Sequence, residues 1–152
     1  MKTLARPRDR DEILSRLKRI HPGSTRRWGT MTAHETVCHL SDAFRMAMGA
    51  KLVSPASSLA QRTIIKWVAL YTPLPWPPGV ATRPEITQGL GGTCPGDFVA
   101  DVADLVGLME RFTAQPRSIK WPHHPIFGRL TEKAWLRWGY LHMDHHLRQF
   151  GA

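Results

Sequence analysis

Near the C-terminus, His142-Met143-Asp144-His145-His146-Leu147-Arg148-Gln149 places three histidines within one turn of an expected helix. On a helix, His142 and His146 lie ~40° apart, because four residues at ~100° each nearly close a turn. Imidazoles at this spacing can share a divalent ion, which is the geometry behind the zinc-protease helix. The glutamate that completes that protease motif is missing, so no protease follows. His145 lies ~60° from His142 on the other side. A His142/His145 pair is therefore the competing assignment, and the i, i+4 pair is preferred.

A metal centre needs a further ligand, and His39 is the best candidate, because it flanks the apolar face of an earlier helix. His34 lies ~140° away from it and cannot share its direction closely. His123 and His124 fall in a proline-flanked connection, where a loop-stabilising role is expected. His21 precedes a helix stop, where it would meet the C-terminal dipole. Neither cysteine reads as a convincing nucleophile. Cys38 is expected to pack, and Cys94 sits near a helix start, a setting that can lower a thiol pKa. Glu35 reads as a cap and Asp42 as a solvated carboxylate. Gln149 follows His146 by three residues and is placed to hydrogen-bond a ligand or a substrate. Trp138 precedes His142 by four on the same stripe and is its expected neighbour. No acid–base group stands out besides the histidines, so catalytic residues are not assigned.

These residues must be positioned by helices. Ile13, Leu14, Leu17 and Ile20 form one stripe over residues 9–20, stopped by Pro22-Gly23. Thr32-Ala33-His34-Glu35 reads as a capping box opening a second helix to about Ala50, apolar at Val37, Leu40, Phe44 and Ala47. Residues 57–71 form a third helical segment with Leu59, Ile64, Trp67, Val68 and Tyr71 apolar. Residues 72–95 are too rich in proline and glycine to continue it and read as a long connection, either a lid or a crossover. Pro95 or Asp97 opens the next helix, with Phe98, Val102, Leu105, Leu108 or Met109, and Phe112 toward the core. Thr131 caps the last, on which Trp135, Trp138, His142, His146 and Gln149 share a narrow stripe. That face begins apolar and turns polar inside the protein. Imidazoles buried there without partners would be costly, whereas ligation or hydrogen bonding satisfies them.

At 152 residues the chain is expected to form a single domain, 1–152, with a substantial core. No apolar run is long enough for a transmembrane helix and no signal-peptide pattern opens the chain, so no membrane is expected. Two cysteines without zinc-thiolate spacing suggest a reduced, cytoplasmic protein. Twenty-one lysines and arginines against twelve acids give a formal charge of +9. That excess fits an anionic small-molecule substrate or simple solubility. The arginines are scattered and no nucleic-acid motif stands out, so nucleic acid is the least favoured partner.

The stretch from Trp28 to Leu40, a tryptophan followed by a helix ending in His39-Leu40, resembles the first signature of the DinB/YfiT-like superfamily. The segment from His142 to Gln149 resembles its second, and residues 124–131 with Trp135 resemble one uncharacterised branch. Arg148 stands where many relatives have glycine. The resemblance implies an all-α fold, a four-helix bundle with a long crossover connection and one additional short helix. It also implies a zinc or nickel ion, or a similar divalent metal, on His39, His142 and His146. Relatives of known activity include metal-dependent transferases that conjugate low-molecular-weight thiols, and an isomerase acting on a thiol-conjugated substrate. The leading expectation is thus a metal-dependent enzyme acting on a thiol, with the basic surface favouring an anionic one. The alternative is a non-catalytic bundle, monomer or homodimer, whose histidines form a buried polar cluster.

Overall fold

A computed structural model describes residues 1–152, and it is all-helical. The helices are α1 Pro7–Leu17, α2 Ala33–Ala47, α3 Lys66–Tyr71, α4 Phe98–Thr113 and α5 Glu132–Gln149. Each of the last two long starts is fixed by a side-chain cap. Asp97 accepts from the Ala100 amide and Thr131 from the Ala134 amide. At α2 the capping box is complete: Thr32 accepts from the Glu35 amide, and Glu35 reaches back to the Thr32 amide. α2 packs along α4, α1 along α5, and α2 against α5, so α1, α2, α4 and α5 form the bundle. No strand forms; His124 and Gly128 make an isolated bridge. No helix is long and apolar enough to cross a membrane.

The expected stripes enter the core at Ile13, Leu17, Val37, Leu40, Phe44, Leu105, Leu108, Met109 and Phe112. Trp135, Trp138, Met143 and Leu147 of α5 meet them. Gly139 lets α5 come close: a Cβ there would lie 2.9 Å from Leu4 Cδ1 and 3.1 Å from Phe112 Cε1. α1 stops three residues before Ile20, and α2 ends ahead of Gly49, whose φ is +78°.

Two expectations need correction. The third segment is helical, as a π-helical turn Gln61–Ile65 followed by α3, but its apolar stripe stays largely outside the core. Of its residues only Leu70 is buried, while Leu59, Ile64 and Trp67 are exposed. Asp42 is not solvated: it is fully buried. Residues 72–95 fold back over α2, and Thr93 reaches Asp42 through both its amide and hydroxyl at 2.7 Å. Lys51 Nζ lies 2.7 Å from the same carboxylate and Arg45 Nη1 3.2 Å. Burial pushes the Asp42 carboxyl up, but the Lys51 ammonium and the Thr93 donors outweigh it and hold it below its ordinary value.

Candidate metal centre

α2 and α5 bring His39, His142 and His146 together, with one ring nitrogen of each within 4.8 Å of the others. The ring centroids stand 5.2 Å (His39–His142), 4.9 Å (His39–His146) and 4.9 Å (His142–His146) apart. His39 and His146 are buried and His142 is half-buried. Burial drives all three pKa values down. At His39 the Ile86 carbonyl partly offsets this, and at His142 and His146 the neighbouring imidazoles reinforce it. The rings are therefore neutral near pH 7 and offer lone pairs rather than charge.

Two of those lone pairs are aimed by their neighbours. His39 Nδ1 faces the Ile86 carbonyl at 3.1 Å, so Nδ1 carries the proton and donates, leaving Nε2 bare. Gln149 Nε2 donates to the Trp28 carbonyl at 2.8 Å, which turns Gln149 Oε1 toward His146 Nδ1 at 3.0 Å. An amide oxygen only accepts, so His146 Nδ1 is the donor and its Nε2 is bare as well. His39 Nε2 and His142 Nε2 lie 3.3 Å apart. Nitrogens bound ~2.05 Å from a tetrahedral ion would be separated by about 3.3 Å. The donor set fits a borderline divalent ion, and three imidazoles leave room for a further ligand.

The surroundings explain why Gly29 precedes the capping box. Its φ is +76°, and a Cβ there would lie 2.7 Å from Gln149 Nε2. Trp138 is buried with its ring centroid 5.0 Å from that of His142. Trp76, from the long connection, stands 6.1 Å from His142 and 6.2 Å from His145. The connection thus covers the histidines, through Ile86 on one side and Trp76 on the other. His145 packs between Trp76 and Trp28, the latter at 5.9 Å. A cavity of about 940 Å³ opens beside the histidines.

The remaining candidates have other work. His124 Nδ1 accepts from the Ile126 and Phe127 amides at 3.1 Å each, and its burial depresses its pKa to about 3. Cys38 is buried beside Asp101, and burial first, then that carboxylate, push its thiol up to about 12, which rules out a ready nucleophile. His34, Cys38 and Asp101 also cluster closely enough to hold an ion. There, however, Asp101 Oδ2 already takes His34 Nε2 at 2.6 Å, the Gly96 amide at 2.9 Å and Cys38 Sγ at 3.7 Å, tying α2 to α4. Cys94 is exposed and free.

Sequence reasoning missed the Ile86 and Trp28 carbonyls, since a backbone acceptor leaves no mark in residue types. It also missed Trp76. A tryptophan between Pro75 and Pro77 in an otherwise irregular segment was the available signal.

Residues 5–152 match a family model described as a protein of unknown function, DUF1569. The chain belongs to the DUF1569 family. No curated protein and no solved structure matches it. The matched residues take in α1, which packs on α5, and the histidines that α2 and α5 bring together.

Proposed function

We propose that this chain is a single-domain, divalent-metal-dependent enzyme of the DinB type, in which His39, His142 and His146 hold zinc or nickel. Supporting this is the preset tautomer of His39 and His146, each with Nδ1 engaged and Nε2 turned inward. A polar cluster without a metal has no need for two bare nitrogens converging on a third ring. When bound, the ion supplies a Lewis acid that lowers the pKa of a coordinated water or thiol. The chain's own residues supply the rest. Ile86 and Gln149 keep the imidazoles oriented, Trp138 braces His142, and Trp76 restricts water on the open side.

The reaction we propose is transfer to a low-molecular-weight thiol in a reducing, cytoplasmic setting, where Cys38 and Cys94 stay free. Its test is a conjugation screen. Protein loaded with zinc or nickel is mixed with small thiols and an electrophilic donor, 1-chloro-2,4-dinitrobenzene. Its carbon–chlorine bond breaks as the sulfur–carbon bond forms, releasing chloride and the thiol proton, and the S-conjugate is followed by mass spectrometry. The expected result is metal-dependent product that disappears in His142→Ala. No product above the uncatalysed rate with any thiol would end the transferase reading.

One contact favours the non-catalytic alternative. The 3.3 Å approach of His39 Nε2 to His142 Nε2 can be a direct hydrogen bond if His142 carries the proton there. On that reading His39→Gln preserves stability and no ion binds tightly.

A further inference from the structure

The cavity beside the histidines has walls whose chemistry differs from that of the protein's surface. Of the twenty-one lysines and arginines, only Arg83 lines it, and no aspartate or glutamate does. Arg83 is partly engaged elsewhere: Nη2 donates to Ser54 Oγ at 2.5 Å, and Nε lies 4.0 Å from Glu85 Oε2. The Glu85 carboxyl is held at about 2, chiefly by its Ser54 hydrogen bond, so it stays ionised and balances the guanidinium. The rest of the lining is uncharged: half of the cavity's 32 residues are hydrophobic, from Trp76 and Phe127 to Ile126 and Met46. Beyond the histidines, the polar ones are Thr30, Gln61, Thr82, Thr87 and Gln149.

The rim carries the same character. Ile64, Ile65, Val68, Leu74 and Val80 line the cavity while being 69, 47, 38, 61 and 61 % exposed. Apolar side chains gathered in this way around a concave site mark a surface that a ligand covers. A volume of about 940 Å³ lies at the upper end of what small-molecule sites enclose.

We infer that the site's ligand is a small molecule with an uncharged, apolar body and one donor group at its head, rather than an anionic one. The body lies along the α3 rim, and the head reaches the open position beside His39, His142 and His146. The head-group assignment rests on the metal-centre reading; the apolar body is read from the walls alone. A carboxylate or sulfonate on the body would lose its hydration and meet no cation but Arg83, whose charge Glu85 already balances. The positive surface charge therefore does not select the ligand inside the cavity.

The test separates the two halves. Metal-free protein is titrated with the neutral fluorophore N-phenyl-1-naphthylamine, which is then displaced by 1-hexanol, 1-octanol and octanoate. The expected results are saturable binding, tightening by about two- to fourfold per added methylene, and octanol outcompeting octanoate at least tenfold. Val68→Glu and Val80→Glu, both at exposed positions, are expected to weaken the fluorophore about tenfold without changing the helical spectrum. Absence of saturable binding, or octanoate competing as well as octanol, overturns the apolar body. Zinc-loaded protein then receives 1-hexanethiol against 1-hexanol. A tenfold preference for the thiol only when zinc is present supports the head group. No preference overturns the head group, and separate metal titration shows whether the metal-centre reading has failed with it.

Discussion

Replacing Gln149 by leucine keeps much of the side-chain volume but removes the acceptor facing His146 Nδ1 and the donor to the Trp28 carbonyl. If His146 is a ligand, its ring then loses the partner that fixes its tautomer. Zinc affinity is expected to fall about 10–100-fold, as judged by competition with a chromophoric chelator. Stability should fall by only about 1–3 kcal/mol, the cost of the unpaired groups left behind. Gly29→Ala offers a second approach to the same contact. It would strain a backbone at φ +76° and push a Cβ into the Gln149 amide. Gly49→Ala is the control, since its φ is +78° but nothing lies within 4 Å of the added carbon. Both variants are expected to lose about 1–2 kcal/mol of stability in denaturant titrations, and only Gly29→Ala to weaken metal binding.

At the level of elements, the helix starts test how local signals set the bundle. Thr32→Ala removes the capping-box acceptor at α2 and is expected to cost about 1 kcal/mol in urea unfolding. Asp42→Ala is expected to cost more, about 3–5 kcal/mol, because Lys51 loses its buried partner and Thr93 its acceptor. These two cases also show what the sequence could reveal. Thr32, Asp97 and Thr131 were legible because a cap acts over three residues. The α5 stripe was legible because Trp135, Trp138, His142 and His146 repeat at helical spacing, and His39 because it borders the α2 core face. Asp42 was misread because its partner Thr93 lies 51 residues away, on a connection with no periodicity. The same holds for Ile86, whose carbonyl reaches His39 over 47 residues. Residues 59–71 were legible as helix but not as rim, since their apolar residues look alike whether they face a core or a cavity.

For the whole molecule, acid should be destabilising in a definite window. His124 titrates at about 3 in the folded chain against 6.5 for a free imidazole, so below pH 6.5 the unfolded state binds the extra proton. Its contribution is complete above pH 6.5 and is lost as pH falls toward 3, at about 1.4 kcal/mol per pH unit. His124→Asn should flatten that slope in denaturant titrations at pH 4–7, while a slope unchanged by the substitution would remove His124 from the account. The central claim concerns the three histidines that the bundle gathers, and bound metal tests it most directly. Untagged protein is to be equilibrated with zinc or nickel, desalted and analysed by elemental mass spectrometry. The account predicts a stoichiometric ion in the native chain, lost from His39→Ala and His142→Ala variants that keep their helical spectrum. Native protein that retains no ion under metal-replete conditions would contradict it.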